Sequence, residues 1–282
     1  MTPPFKTHEL LSTPTINHGF FGRQGGVSSA QFESLNTGFG SADTSENITK
    51  NRAQITKTLG ADHLLSLHQI HSRNVVVITE PFSKRPKADG MVTRVAGIAL
   101  TALSADCGPV LLADHEAGVI GACHAGWQGA LSGITDATID AMVEQGAARG
   151  NITAVLGPCI SQPSYEVGDE FRDNFIGERE IYDRFFRLGP KKIGAPSQPH
   201  FDLKAFILHR LREAGLTRIA ALPDCTYAQP NEYFSYRYNT HKGITDYGRN
   251  LSAIMLHKCF TIRCLFPKHT PNPNQMLTGT LS

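Results

Sequence analysis

The chain has few of the features that mark nucleic-acid-binding or membrane proteins. Its 282 residues carry 27 Lys and Arg against 25 Asp and Glu, a formal net charge of +2, with no long run of basic side chains. We therefore expect no nucleic-acid partner. No stretch approaches the roughly 18 apolar residues of a membrane-spanning helix. Residues 1–10 mix charged side chains with prolines, so we expect neither a signal peptide nor a membrane anchor.

Cysteine is also sparse, and no CxxC pair occurs. The six cysteines are widely spaced in a chain of this size. Without a secretion signal, that spacing favours reduced thiols over a disulfide framework. We therefore expect a cytoplasmic protein.

Strand-like and helix-like segments alternate along most of the chain. Runs of β-branched and apolar residues predict strands at 74–79, 97–103, 110–112, 118–122, 153–156 and 219–222. Helical spacing of apolar residues predicts helices at 47–59, 130–144 and 203–214. No linker separates two halves, so we predict a single α+β domain over residues 1–257. The proline-rich segment 258–282 is predicted to be a flexible extension outside the core.

Three short stretches carry side chains that bind metals: HQIH at 68–71, ADCGP at 105–109 and CHAGWQG at 123–129. Two imidazoles and one thiolate would leave one tetrahedral position of a zinc ion open, as catalytic sites require. Single buried cysteines usually pack as small apolar residues, however. The spacing of His71, Cys107 and His124 matches no short zinc-finger pattern. From the residues alone, metal binding and packing are about equally favoured.

The same motifs resemble the YfiH-like (laccase-domain) family. Its members are known as multicopper polyphenol oxidase (laccase), purine nucleoside phosphorylase and peptidoglycan editing factor. Further matching motifs follow the family's order from residue 20 to residue 249: GGVS, SLNTG, ENITKNR, ADGMVT, GPCISQPSYEVG, FDL, DCT, FSYR and YGR. The resemblance therefore covers nearly the whole chain.

This resemblance implies a fold, a cofactor and an activity. The fold is a single α+β domain with mixed β-sheets flanked by helices, of the cytotoxic-necrotizing-factor/YfiH-like type. The cofactor is one Zn²⁺ per chain, held by His71, Cys107 and His124, and copper is not expected. The activity is phosphorolysis of adenosine, inosine and methylthioadenosine, together with adenosine deamination. A purine nucleoside and phosphate are thus the expected partners.

Two positions depart from the family's pattern. Gln128 stands where the family usually has Arg or Lys, and Ser72 stands where it commonly has Gly. The lost positive charge at residue 128 puts the phosphate contact in doubt. The change at residue 72 is small.

The chemistry names further candidate residues. Deamination needs a group that passes a proton to the leaving amine, and His68 and Asp106 are the nearest candidates to the ligands in sequence. Asp106 has the alternative role of orienting a ligand histidine. Phosphorolysis needs cationic groups for phosphate, for which we predict Arg23 and Arg237. A surface arginine on a tight turn is an equally good interpretation of Arg23.

Two more residues are predicted to bind substrate, and each has a structural alternative. Tyr165 is either a substrate contact or a tyrosine at a strand edge, and Asn36 either contacts substrate or holds a loop by local hydrogen bonds. Trp127, the single tryptophan, is more typical of a packing anchor than of a purine-stacking residue.

Other functional classes remain open at this point. Cys107 and His124 also suit a nucleophile and base, which would make a Cys/His hydrolase acting on a cell-wall muropeptide precursor. The resemblance gives indirect support, because the fold is grouped with toxin deamidases that use a Cys/His pair. Copper oxidation of phenols is disfavoured, since the 12 histidines include no HxH pair. An open three-ligand site also disfavours a non-catalytic binding module.

Overall fold

Two β-sheets pack face to face at the centre of the molecule, and helices cover their outer faces. The computed structural model describes residues 2–190 and 196–258. The strands are β1 (Phe5–Lys6), β2 (Ile16–Phe21), β3 (His63–Leu65), β4 (Val75–Ile78), β5 (Gly90–Thr93), β6 (Ile98–Ser104), β7 (Gly108–Asp114), β8 (Val119–Ala125), β9 (Thr153–Leu156), β10 (Phe186–Leu188), β11 (Pro199–Phe201), β12 (Arg218–Ala221) and β13 (Asn250–Leu256). The helices are α1 (Ser45–Leu59), α2 (Trp127–Ser132), α3 (Ile134–Glu144), α4 (Asp169–Glu178), α5 (Leu203–Glu213) and α6 (Tyr236–His241).

Both large sheets are mixed, as predicted. The five-stranded sheet has the order β1-β2-β13-β6-β3, and the six-stranded sheet has the order β12-β9-β7-β8-β5-β4. Parallel pairs join β3 to β6, β4 to β5 and β9 to β12, while the other pairs in these sheets are antiparallel. A two-stranded ribbon of β10 and β11 lies apart from both.

Strict alternation along the strands divides the interior into three apolar layers. In β8, Val119 and Cys123 point to the layer under the helices, whereas Ile120 and Ala122 point to the layer between the sheets. This alternation follows from the two-residue side-chain period of a strand. The third layer lies between the five-stranded sheet and α1, and Ile55 packs in it.

The structure corrects the predicted helix at 130–144. Two helices, α2 and α3, occupy the segment, and Gly133 between them has φ 93°. This left-handed conformation breaks the helical path at a residue that has no Cβ to oppose it. The strand predicted at 118–122 is also longer than expected and runs through His124 to Ala125. The predicted metal ligand His124 therefore lies inside the strand, near its end.

The predicted extension lies outside the described residues except for Lys258, which pairs with Asp62. Across the described part of the chain, no helix combines the length and apolar composition needed to cross a membrane.

Candidate metal centre and adjoining cavity

Three elements bring His71, Cys107 and His124 together. Cys107 lies in the turn between β6 and β7, immediately before β7 begins. The antiparallel register pairs Gly108 with Ala125 and Pro109 with His124, so the start of β7 lies beside the end of β8. His71 comes from the loop between β3 and β4. The register of one hairpin thus sets two ligands, and a separate loop supplies the third.

The donor atoms of these residues form a compact group. One ligand atom from each residue lies within 4.8 Å of the others. His71 Nε2 is 3.9 Å from Cys107 Sγ, and the two imidazole rings have centroids 4.9 Å apart. His124 is buried and Cys107 is partly buried, whereas His71 is exposed. The group is therefore open to ligands on the His71 side.

Asp89, which was not among the residues predicted from the sequence, holds both histidines in place. Its Oδ1 lies 2.9 Å from His124 Nδ1 and accepts a hydrogen bond from the backbone N–H of His71 at 3.1 Å. Its Oδ2 accepts hydrogen bonds from the backbone N–H groups of Ile70 and Ser72 and from the Ser72 hydroxyl. This carboxylate therefore fixes both the His124 ring and the loop around His71. The backbone of His71 has a φ of 59°. The ADG motif at 88–90, at the start of β5, was the sign in the sequence that could have pointed to Asp89.

Ser72 also gains a role from these contacts. The family commonly has Gly here, but the Ser72 hydroxyl lies 2.9 Å from Asp89 Oδ2. The departure from the pattern adds a donor to the carboxylate rather than removing a contact.

The three ionisable groups shift one another's pKa values. Burial acts to raise the pKa of the Cys107 thiol, but His124 and His71 outweigh it and lower that pKa to about 6. Burial acts to lower the pKa of His124, but the Cys107 thiolate and Asp89 raise it to about 9. Burial likewise opposes ionisation of Asp89, and the hydrogen bonds from His124 and Ser72 lower its pKa to about 2. The environment thus favours a thiolate, which is the form that binds metals.

The surroundings of the three donors fit a bound metal ion. Gly126 follows β8, and a Cβ at this position would lie 2.7 Å from His71 Cδ2 and 3.0 Å from Cys107 Sγ. Only glycine leaves the two ligands undisturbed here. Two nitrogen donors and one sulfur donor, with a carboxylate hydrogen-bonded to one imidazole, form a set that suits a transition-metal ion, zinc among them.

A cavity of about 760 Å³ opens beside the metal-binding group. His71, Cys107 and Asp106 line it, together with several aromatic side chains: Trp127, Tyr165, Phe171, Tyr236 and Tyr247. Arg237 is the one arginine or lysine that lines it in the described part of the chain. The cavity therefore combines flat apolar surfaces with a cation and the metal-binding group.

Arg237 is fixed in this lining by three contacts. Its Nη1 donates a hydrogen bond to the Glu166 carbonyl oxygen at 2.6 Å, and its guanidinium lies 5.3 Å from the centre of the Tyr165 ring. Its backbone N–H donates to Asp106 Oδ2 at 2.7 Å. Asp106 Oδ1 accepts a second hydrogen bond from the Thr226 hydroxyl at 2.6 Å. The Asp106 carboxylate therefore joins the Cys107 turn to α6, and Asp89, not Asp106, orients the ligand histidine.

The structure does not bring Arg23, Asn36 or His68 to this cavity. The Arg23 side chain donates hydrogen bonds to the backbone carbonyls of Glu33 and Pro230. The buried Asn36 amide donates to Ser41 Oγ and Asp43 Oδ2, so it holds a loop by local hydrogen bonds. The Asn36 contacts match the structural alternative weighed for that residue, whereas Arg23 is partly buried rather than a surface arginine.

His68 and Gln128 are exposed and lie outside the cavity lining. His68 sits on the loop that leads to His71, where its backbone N–H donates to the Pro86 carbonyl oxygen. Gln128 is on the solvent side of α2, whereas its neighbour Trp127 lines the cavity and packs on Phe171, with ring centroids 4.8 Å apart.

Known proteins similar to this chain share both its sequence and its fold. The family model described as multi-copper polyphenol oxidoreductase laccase matches residues 17–257. A purine nucleoside phosphorylase of Rickettsia prowazekii is 34% identical over 250 residues, which are 88% of this chain and 99% of that protein. Another protein of that name from Streptomyces griseus is 35% identical over 236 residues, covering 82% of this chain and 92% of the relative.

Two crystal structures resemble the fold closely. A Neisseria meningitidis protein of the family DUF152 gives a TM-score of 0.79 at 30% identity, covering 90% of this chain and 99% of the other. The YfiH protein of Bacillus licheniformis gives 0.76 at 28% identity, with the same coverage. These neighbours confirm the predicted YfiH-like α+β fold.

Proposed function

The chain belongs to the family described as multi-copper polyphenol oxidoreductase laccase, the YfiH-like family, and from this we propose that it is a zinc-dependent purine nucleoside phosphorylase. The observation that carries the proposal is the three-donor group of His71, Cys107 and His124, of which His71 and Cys107 line a cavity with many aromatic side chains. The relatives named purine nucleoside phosphorylase support it, at 33–37% identity.

The metal is proposed to be one Zn²⁺ per chain, held by the two imidazoles and the thiolate. When bound, it supplies a Lewis acid beside the cavity. Asp89 keeps the His124 ring oriented through Nδ1, which leaves Nε2 for the metal. The backbone hydrogen bonds to Asp89 hold the His71 loop against the other two donors.

The cavity residues suit the other parts of phosphorolysis. Phosphate oxygen attacks C1′ of the ribose, the C1′–N9 bond breaks, and the departing purine takes that electron pair. Arg237 supplies a guanidinium for the anion. The Tyr165 hydroxyl is protonated at neutral pH, and burial raises its pKa further, so this group can donate a hydrogen bond to the base. Trp127 and Phe171 offer flat faces for the purine.

Incubation of the purified protein with adenosine, inosine or methylthioadenosine, with and without phosphate, tests the proposed reaction. We expect ribose-1-phosphate, or its methylthio analogue, only when phosphate is present, with stoichiometric zinc in the sample. His124→Ala should abolish zinc binding and turnover. His115→Ala, at an exposed histidine in the β7–β8 turn, is the matched control and should retain both. A zinc-loaded protein that turns over no purine nucleoside would contradict the proposal.

Adenosine deamination is proposed as a second reaction of the same site. It follows from the family resemblance. Water attacks C6 of the purine, the bond from C6 to the amino nitrogen breaks, and the amino group leaves as ammonia after taking a proton that came from the water. In the adenosine incubation without phosphate, the expected product is inosine.

A Cys/His hydrolase acting on a cell-wall muropeptide precursor is the second candidate, and one observation favours it. The His124 imidazole lies between the Cys107 thiol and the Asp89 carboxylate, and the pKa of Cys107 is lowered to about 6. Metal content separates the two candidates, because zinc bound through Cys107 removes the free thiolate. Rapid alkylation of Cys107 in the protein as isolated would favour the hydrolase.

Multicopper oxidation has less support from the donor groups. Within residues 2–190 and 196–258, His71, Cys107 and His124 form the single His/Cys/Asp/Glu cluster suited to a metal. Electron transfer through several copper ions would require several such clusters, with further histidines.

A further inference from the structure

Two buried cysteines outside the metal-binding group lie side by side. Cys159 follows β9 and Cys225 follows β12, and the parallel pairing of these strands continues as a bridge between the two cysteines. The backbone N–H of Thr226 donates to the Cys159 carbonyl oxygen at 3.3 Å. Paired backbones lie about 4.8 Å apart, which falls within the Cα separations that disulfides bridge.

The Cys225 sulfur makes hydrogen bonds with one short segment. It accepts from the Ser161 backbone N–H at 3.3 Å and from the Ser161 hydroxyl at 3.0 Å, and in the thiol form it donates to the Ser164 hydroxyl oxygen at 3.7 Å. No comparable set surrounds Cys159 among the described residues, and that thiol is fully buried. Cys225 retains a small exposed fraction, 8%. The two thiols therefore differ in both access and polarity.

The two thiols also differ in pKa, and Cys225 is the one that ionises more easily. Burial acts to raise the pKa of Cys225, but the hydrogen bonds from Ser161, Ala228 and Ser164 outweigh it and lower that pKa. Burial raises the pKa of the Cys159 thiol to about 12. Because the thiolate is the reactive form, Cys225 reacts first.

We propose that Cys225 is a site of peroxide oxidation and that Cys159 resolves the product into a reversible disulfide. The Cys225 thiolate attacks hydrogen peroxide, the O–O bond breaks, and sulfur is oxidised to a sulfenic acid as hydroxide leaves. The Cys159 sulfur then attacks the Cys225 sulfur. The S–O bond breaks, and the departing hydroxide takes the Cys159 proton to form water. Added dithiol reduces the bond again.

The disulfide would act on the metal site through Asp106. The backbone N–H of Ile160, next to Cys159, donates to the Asp106 carbonyl oxygen at 2.9 Å. The hydroxyl of Thr226, next to Cys225, donates to Asp106 Oδ1 at 2.6 Å. The spacing of about 4.8 Å between paired strands exceeds the Cβ separation of about 3.5–4.5 Å that a disulfide takes, so bond formation pulls the two segments together. Asp106 precedes Cys107, and we therefore expect weaker metal retention in the oxidised protein.

Peptide mass spectrometry of the zinc-loaded full-length protein tests the assignment. After treatment with hydrogen peroxide and alkylation, we expect a disulfide between Cys159 and Cys225 that disappears on dithiothreitol treatment. In Cys159→Ser, a dimedone-type reagent should label Cys225, because the sulfenic acid has no partner. Cys123, fully buried in β8, is the internal control and should stay unmodified.

The variant Cys225→Ser separates this disulfide from direct oxidation of the metal ligand. It should retain zinc and basal turnover, and it should lose less zinc on peroxide treatment than the unmodified sequence does. Cys159 and Cys225 both recovered in reduced form, under peroxide that oxidises Cys107, would overturn the assignment. Equal zinc loss from the two proteins would overturn the proposed effect of the disulfide on the metal site. The thiol readout needs no enzymatic activity, so it tests this inference independently of the proposed reaction.

Discussion

At the residue scale, Asp89 connects both histidines of the metal-binding group. It accepts hydrogen bonds from His124 Nδ1 and from the backbone around His71, and its side chain is fully buried. We predict that Asp89→Asn lowers metal affinity about 10- to 100-fold. An amide keeps the shape of the carboxylate but loses its charge, and its NH₂ group faces N–H groups that also donate hydrogen bonds. Zinc competition titration with a chromophoric chelator measures the change.

Asp114→Asn is the matched control for this substitution. Asp114 is equally buried, lies at the other end of β7, and accepts hydrogen bonds from the backbone of Glu116, Ala117 and Ala148. This variant should lower thermal stability while leaving zinc affinity unchanged. An equal loss of affinity in the two variants would show that Asp89 acts only on general stability.

Gly126 gives a second prediction at this scale, and it depends on space alone. Gly126→Ala would place a methyl group 2.7 Å from His71 Cδ2 and 3.0 Å from Cys107 Sγ. We expect weaker zinc binding with little change in folding, since the methyl group most closely meets the ends of the two ligand side chains and not backbone atoms. Gly177→Ala, where a Cβ meets no atom within 4 Å, should retain zinc and stabilise α4 by about 1 kcal/mol. Unchanged zinc affinity in Gly126→Ala would mean that the ligands adjust around the methyl group.

The residue types of the site could be predicted from the sequence, but its supporting contacts could not. HQIH, ADC and CHAG carry the donors His71, Cys107 and His124 in recognisable motifs. Asp89 is far from all three in sequence, and its role depends on how β5 pairs with β8. Arg23 and Arg237 both looked suitable for an anion. Only the fold shows that Arg23 donates to carbonyls while Arg237 lines the cavity.

At the element scale, apolar runs predicted the centres of β7 and β8, because both faces of these strands are buried and their central residues are apolar. Pairing and register were not predictable, since contacts distant in sequence decide them. The break at Gly133 was missed because glycine within a helical pattern is also compatible with an unbroken helix.

The short helix α6 gives a prediction at this scale, because it carries Arg237 into the cavity. The Ser235 hydroxyl accepts a hydrogen bond from the Tyr238 N–H at the start of this helix, which fixes its position. We expect Arg237→Met to raise the KM for phosphate about 10- to 100-fold, the range expected for losing a charged hydrogen bond. Steady-state kinetics at varied phosphate would measure it, with the KM for nucleoside changing much less.

Arg179→Met is the matched control for that experiment. Arg179 also donates to neighbouring residues and lies 5.0 Å from the centre of a tyrosine ring, that of Tyr182, but it is outside the cavity lining. Its kinetic constants should match those of the unmodified sequence. If both variants changed the KM for phosphate equally, the effect would not belong to the cavity.

At the scale of the whole molecule, Lys6 links the edges of the two sheets. Lys6 belongs to β1, at the edge of the five-stranded sheet, and its ammonium group pairs with Asp224, which follows β12 at the edge of the six-stranded sheet. Asp224 is buried, whereas the Lys6 side chain is about half exposed. The pair therefore joins parts of the fold that are distant in sequence and do not share a strand pairing.

This link predicts a pH-dependent difference in stability between the unmodified protein and Lys6→Met. Burial acts to raise the pKa of Asp224, but the hydrogen bond and charge of Lys6 outweigh it and lower that pKa. A carboxyl whose pKa is lower in the folded state stabilises the fold above its unfolded pKa, near 3.9, and loses this effect as pH falls through the folded pKa. We expect Lys6→Met to lower the free energy of unfolding on the order of 1 kcal/mol at neutral pH, since solvent screens the half-exposed ammonium. The difference should shrink at pH values below about 4.

Urea unfolding across a pH series measures this difference, and the contribution of bound metal cancels between the two proteins. Lys50→Met, which removes an exposed pair with Glu46 within α1, should show little difference at any pH. A difference between Lys6→Met and the unmodified protein that stayed constant down to pH values well below 4 would mean that Lys6 acts through packing on Tyr233 rather than through the charge of Asp224.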